Sequence, residues 1–158
     1  MSGVYTKIKD IVNASEGTAY ITVDGQNRYF FELAKLEASI EFTVAAKRLM
    51  GHRMKQHKVM NAEGKGSISM YNVSPAALAI YTQYVKEGKV PEISIQTTNE
   101  DPASTVGRRV VVMRGCVLAK APVVYLEDDS EDLSPTDTDF TFDDVDELES
   151  YTLPENMR

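Results

Sequence analysis

From Glu41 to Ala77 the sequence reads as a strand, a long basic connection, a second strand and the start of a helix. No other stretch constrains the fold as much. Leu36 to Val44 alternates, with Leu36, Ala38, Ile40, Phe42 and Val44 on one side and Glu37, Ser39, Glu41 and Thr43 on the other. Period two over this length predicts a half-buried strand with one wet face. Ser67 to Tyr71 alternates in the same way, with Ile68 and Met70 set against Ser67, Ser69 and Tyr71. Between them lies Lys47–Lys58, which holds five Lys or Arg, both histidines of the chain and no acid. Asn61 to Gly66 reads as a turn-rich link. A connection this long inside a compact domain is either functional or without fixed structure. Leu49, Met50 and Met54 make it too apolar for a simple solvated segment, so it reads as a surface for another copy of the chain.

The remaining elements fit a sheet protein. Met1 to Gly17 is mixed and rich in small residues and reads as an arm. Ala19–Val23, the turn pair Asp24-Gly25 and Arg28–Leu33 predict a hairpin. Ser74 at an N-cap, Pro75 at the first helical position, an apolar stripe through Leu78, Tyr81 and Val85, and the stop at Gly88 predict a helix over 76–87 packed on the sheet. Ile93 and Ile95 mark a strand, and Asn99–Gly107 a hairpin-like loop. Arg109–Leu118 reads as one central strand, Ala121–Leu126 as a short apolar run, and Thr136–Val145 as a last strand with an acidic outer face. About six to eight strands and one helix predict a mainly β, antiparallel-rich α+β chain: a β-sandwich or partly closed barrel with one flanking helix. The 158 residues favour a single domain over 1–158, with an arm over 1–17 and an acidic segment over 127–158.

Charge is divided along the chain. Glu127 to Arg158 carries thirteen acids and one base, a net of −12, whereas the preceding 126 residues carry eleven acids and sixteen bases, a net of +5. Such an acidic block is either a solvated tail or a surface that meets the basic connection of the same or a neighbouring chain. The single cysteine, Cys116, excludes an internal disulfide. Met1–Asp10 lacks the apolar run of a secretion signal, and no stretch approaches the roughly 20 apolar residues of a spanning helix, so no membrane partner is expected.

Reaction chemistry finds little support. His52 and His57 are five apart and lack a flanking cysteine or carboxylate at metal-ligand spacing. Cys116 lies in a valine-rich pattern that predicts a buried, inert thiol. Asp128–Asp132 and Asp137–Asp139 do not form a calcium loop: the sixth position from Asp137 is Phe142 where glycine is required. Gly64-Lys65-Gly66 lacks the rest of a phosphate loop, and Gly107-Arg108-Arg109 precedes no helix. Asn13-Ala14-Ser15 is a glycosylation tripeptide of the kind that arises by chance. The reading is no enzyme, no catalytic residue, no metal and no cofactor.

Leu49-Met50-Gly51-His52-Arg53-Met54, His57-Lys58 and Gly64-Lys65-Gly66-Ser67-Ile68-Ser69-Met70-Tyr71, in that order, resemble the tail tube proteins of contractile phage tails. The likeness is to the type found in PBSX-like prophages of Gram-positive bacteria. It continues through Tyr84–Gly88 and Phe140–Asp144 and covers roughly residues 36 to 150. His52 stands where the family pattern has arginine. The resemblance implies a structural protein of the virion tail, assembled in the bacterial host cytoplasm. Six copies would form a ring, and rings would stack into a hollow tube inside a sheath. Strands of all six subunits would line one inner barrel through which DNA passes without specific binding. Its partners would be itself, the tail sheath protein, and the baseplate and tail terminator proteins. Glu37, Ser39, Glu41, Ser67 and Ser69 would face the lumen. Arg48, Leu49, Met50, Gly51, His52, Arg53, Met54, Lys55 and Lys58 would contact a neighbouring subunit. The alternative is a single-stranded nucleic-acid-binding β-barrel using 47–58, although that stretch lacks interleaved aromatics for base stacking.

Overall fold

The computed structural model describes residues 7–13, 16–29, 33–71, 76–120 and 136–154. After a short 3-10 turn at Ile8–Asp10, the strands are β1 (Gly17–Val23), β2 (Gln26–Tyr29), β3 (Leu33–Lys47) and β4 (Gln56–Met70). Helix α1 (Ala76–Glu87) follows, then β5 (Ile93–Glu100), β6 (Arg108–Arg114), β7 (Val117–Leu118), β8 (Thr136–Phe142) and β9 (Asp144–Glu149). They form two antiparallel sheets, β2-β1-β5-β6-β9 and β3-β4-β8-β7, and neither closes into a barrel. The fold is therefore the sandwich of the two expected forms, with one helix. The described residues contain nine strands rather than six to eight.

The core lies between the sheets. Ala19 and Ile21 of β1, Ile93 and Ile95 of β5 and Met113 of β6 face Ile68 and Met70 of β4, Leu118 of β7, and Phe140 and Phe142 of β8. Alternation produces this face: Ile21, Ile95, Met113 and Val145 are register partners across four strands. Tyr81 of α1 packs against the same cluster. Its hydroxyl oxygen accepts the backbone N–H of Leu118 at 2.7 Å. Burial pushes the Tyr81 phenol up, and the Leu118 contact opposes that shift. The helix stripe holds less well beyond Tyr81, because Tyr84 and Val85 are exposed. Tyr81→Phe is expected to leave the Leu118 donor unpaired and to lower stability by about 1 kcal/mol in urea unfolding.

Two long strands of the sequence reading are divided, and a third stretch, read as loop, link and short strand, is joined. Arg109–Leu118 breaks at Gly115, whose φ of 66° turns the chain from β6 in one sheet to β7 in the other. Thr136–Val145 breaks beside it at Asp143, whose N–H bonds the Arg114 carbonyl at 3.0 Å. Apolar content alone does not reveal a change of sheet, because both halves are buried. The third is the stretch from Gln56 to Met70, which is one strand: the turn-rich link over 61–66 lies within β4. The Asp24-Gly25 hairpin and the Gly88 stop form as expected. Ser74, Pro75 and Ala121–Leu126 fall outside the described residues, as do residues 1–6, 14 and 15 of the proposed arm.

Candidate functional site

The basic connection belongs to a β-ribbon. β3 and β4 pair from Leu33↔Met70 to Lys47↔Gln56. β8 reaches only Gly64 of β4, so beyond it the two strands are paired only with each other. The expected twelve-residue loop is therefore an eight-residue tip, 48–55, at the end of a ribbon that leaves the body of the sandwich. Gln56, His57 and Lys58 are strand residues. Between Thr43↔Asn61 and Val44↔Val59 the register slips by one residue, leaving Met60 as a bulge.

One face of this sheet is polar along its length. Antiparallel partners point to the same side, and the register pairs Glu37 with Ser67, Ser39 with Lys65, and Glu41 with Glu63. It also pairs Ser67 with Asp139 and Ser69 with Asp137. The five residues read as lumen-facing, Glu37, Ser39, Glu41, Ser67 and Ser69, thus share one face. The Ser69 hydroxyl donates to Asp137. Lys65 lies 3.3 Å from Glu41 and 3.6 Å from Glu63. The hydrogen bond to Glu41, followed by the charges of both acids, raises its pKa. The sequence reading missed Lys65 and Glu63 because it placed them in a link. Their signal was present: polar Asn61, Glu63, Lys65, Ser67 and Ser69 alternate with Ala62, Gly64, Gly66, Ile68 and Met70.

The opposite face is apolar and changes character along its length. Leu36 packs partly on the core, whereas Ile40, Phe42, Val44 and Val59 stand beyond it and are exposed, Phe42 at 59%. The expectation of a half-buried strand therefore holds only near the body, because no second sheet covers the ribbon. At the tip, the N–H of His52 bonds the Leu49 carbonyl at 3.1 Å, and Gly51 takes a φ of 86°, the value required at the third position of a type II turn. Met50 is fully exposed, and Met54 nearly so. Among the described residues, no carboxylate lies within salt-bridge distance of Arg48, Arg53, Lys55 or Lys58. The acids of β9 pair elsewhere: Glu149 with Arg108 at 2.5 Å, Glu147 with Arg109 at 2.8 Å, and Asp146 with Arg114.

This arrangement offers contact surfaces and no reacting centre. Among the described residues, no group of three His, Cys, Asp or Glu side chains could hold a metal. Cys116 is buried, and that burial pushes its thiol up to about 11. No helix among the described residues is long and apolar enough to cross a membrane.

The sequence pattern of the family described as phage tail tube protein matches residues 4–149. The chain is 29% identical over 152 residues to the uncharacterized protein YqbM of Bacillus subtilis (strain 168), covering 96% of each. It is 29% identical over 140 residues to the phage-like element PBSX protein XkdM of the same strain, covering 89% of this chain and 92% of XkdM. Two solved structures share the fold. A chain of the anti-feeding prophage cap superposes with a TM-score of 0.67 at 8% identity, over 94% of this chain and 97% of that one. A chain of a contractile injection system sheath-tube complex in the extended state gives 0.64 at 8% identity, over 89% and 93%.

Proposed function

This chain belongs to the phage tail tube protein family, a structural and non-enzymatic family, and from that premise we propose that six copies form a ring and that rings stack into the inner tube of a contractile tail. The observation that carries this reading is the four-stranded sheet β3-β4-β8-β7. It is polar on its outer face, and among the described residues its long edge strand β3 is open, whereas the outward N–H of Leu118 on the two-residue edge β7 is held by Tyr81. Open edges invite pairing with another chain unless they are covered. A ring covers the β3 edge with a neighbouring copy, giving a continuous wall whose polar face points inward. Glu37, Ser39, Glu41, Ser67 and Ser69 would then line the conduit. With Lys35, Glu63, Lys65, Asp137 and Asp139, the part of this face from Lys35 to Glu41 and its partners carries five acids and two bases; Lys47 and Lys58 lie on the same side further out along the ribbon. A wall of net negative charge repels phosphates, so DNA passes without specific binding.

The ribbon tip would bridge to a neighbouring subunit. Its cations, which pair with no acid among the described residues, and its exposed Leu49, Met50 and Met54 suit a second copy that offers acids around an apolar patch. The solved chains of this fold include ones from a sheath-tube complex, a sheath/tube terminator and a baseplate. Carried to this chain, those assemblies support a sheath protein, a tail terminator and a baseplate as partners in a phage tail. The two described sheets stay separate, which disfavours the barrel of the rival single-strand-binding reading, and the family match favours the tube.

Negative-stain images of the concentrated protein test the reading: hollow tubes or six-fold rings are expected. Glu37→Lys with Glu41→Lys should form tubes of normal appearance while slowing DNA delivery by phage that carry them. Failure of that variant to assemble would place these two residues in a subunit contact instead.

A further inference from the structure

On the polar face of β3 and β4 between Lys35 and Glu41 and between Glu63 and Ser69, short of the ribbon that carries Lys47 and Lys58, both cations stand beside a carboxylate. Lys35 is 3.4 Å from Glu37, and Lys65 lies between Glu41 and Glu63 at 3.3 and 3.6 Å. The Lys65 arrangement is specific. Glu41 and Glu63 are direct cross-strand partners, and like charges in that relation repel. Lys65 is two residues from Glu63 on the same strand face and diagonal to Glu41, where its ammonium relieves that repulsion. In return, both acids occupy the ammonium. Side-chain exposures of 47% for Lys65, 61% for Glu41 and 62% for Glu63 leave all three open to solvent and to anything that slides over the sheet.

We infer that Glu41 and Glu63 shield Lys65 from the phosphodiesters of a nucleic acid, so that Lys65 is a latent polyanion-binding position held silent by its two neighbours. The inference rests on the reading that this face lines the conduit. There, an unshielded lysine would recur once per subunit. A polyanion could engage several at once, and linked contacts multiply in affinity. A wall meant for passage must have no such ring. An uncharged residue at 65 would avoid the ring but would leave the Glu41–Glu63 repulsion in place. The lysine with two acids satisfies both requirements. Exposed pairs of this kind contribute little to stability, so glutamine at 41 and 63 leaves the fold intact.

The test is binding of fluorescently labelled oligothymidine to the purified protein at low ionic strength. Glu41→Gln with Glu63→Gln is expected to tighten binding on the order of tenfold over the parent, the scale of one charge-assisted phosphate contact. Adding Lys65→Gln should return binding to the parent level. Asp137→Asn with Asp139→Asn removes the same charge from acids of the same face that do not pair with Lys65 and should change binding far less. The inference is overturned if the Asp pair has the same effect as the Glu pair, because net charge alone would then explain it. It is also overturned if the triple variant binds as tightly as the double, or if the double binds no better than the parent. Thermal melts of each variant establish that it is folded. Negative-stain images of the same preparations report separately on ring formation. If the parent fails to assemble while the binding pattern holds, the conduit reading falls and the shield stands.

Discussion

Gly66→Ala lowers the thermal midpoint by about 10 °C, corresponding to a loss of roughly 3 kcal/mol for a chain of this size. Gly66 pairs with Ala38 on one side and Phe140 on the other, in the middle of the sheet. A β-carbon there meets the backbone carbonyl oxygen of Glu37 and the ring of Phe140. Phe140 is 1% exposed and packed within the core, so it has no room to turn away. The Glu37 oxygen belongs to β3, so relief requires β3 and β4 to separate. At Gly64 the atoms nearest to an added β-carbon are all in the ring of Phe142, which sits nearer the sandwich margin at 8% exposure. Gly64→Ala should therefore cost about half as much. Reduced entropy of the unfolded chain returns a fraction of a kcal/mol in both variants. Urea unfolding gives the order directly. A double-mutant cycle with Phe140→Leu then isolates the ring: a coupling of about 1 kcal/mol is expected, and strict additivity would assign the whole cost to the Glu37 carbonyl.

The same two glycines explain what was legible in the sequence and what was not. Period two announced Leu36–Val44 and Ser67–Tyr71, and it fixed which side Glu37, Ser39, Glu41, Ser67 and Ser69 share, because one face of that sheet is buried near the body. Gly64 and Gly66 concealed the rest of β4. In a single sequence, glycines separated by one residue signal a turn. Here they leave space for two phenylalanine rings from β8, a reason that lies in a strand over seventy residues away. With the link misread, the connection looked long, and Glu63 and Lys65 lost their place on the polar face. The helix from Ala76 was readable because its signals are local. The changes of sheet at Gly115 and Asp143 depend on which face each half buries, and strand-forming residues carry no mark of that. The exposed apolar stripe of Ile40, Phe42, Val44 and Val59 is a different case. The sequence assigned it to a core because the pattern of a strand that packs within its own chain is the same as that of one awaiting another copy.

Replacing residues 48–55 by Asn-Gly will abolish tubes while leaving the domain folded. Lys47 and Gln56 are register partners, so two residues with positive φ close the ribbon in the hairpin geometry that matches strand twist. The tip has little to lose among the described residues: its side chains are exposed, and Arg48, Arg53 and Lys55 have no carboxylate partner there. Stability should change by no more than about 0.5 kcal/mol, the usual range for surface positions. Assembly loses three cations and the exposed Leu49, Met50 and Met54 from each copy, and every ring repeats that loss. Clustered apolar anchors supply most of an interface's affinity, so Met50→Ser with Met54→Ser should weaken assembly nearly as much as removal of the tip. Arg48→Ala with Arg53→Ala acts through charge. It should raise the protein concentration needed for tubes chiefly at low salt, where unscreened attraction matters most. Normal tubes from the tip-less protein would show that the ring edges alone hold the assembly. The ribbon's apolar stripe, rather than its basic end, would then be the surface that a neighbour covers.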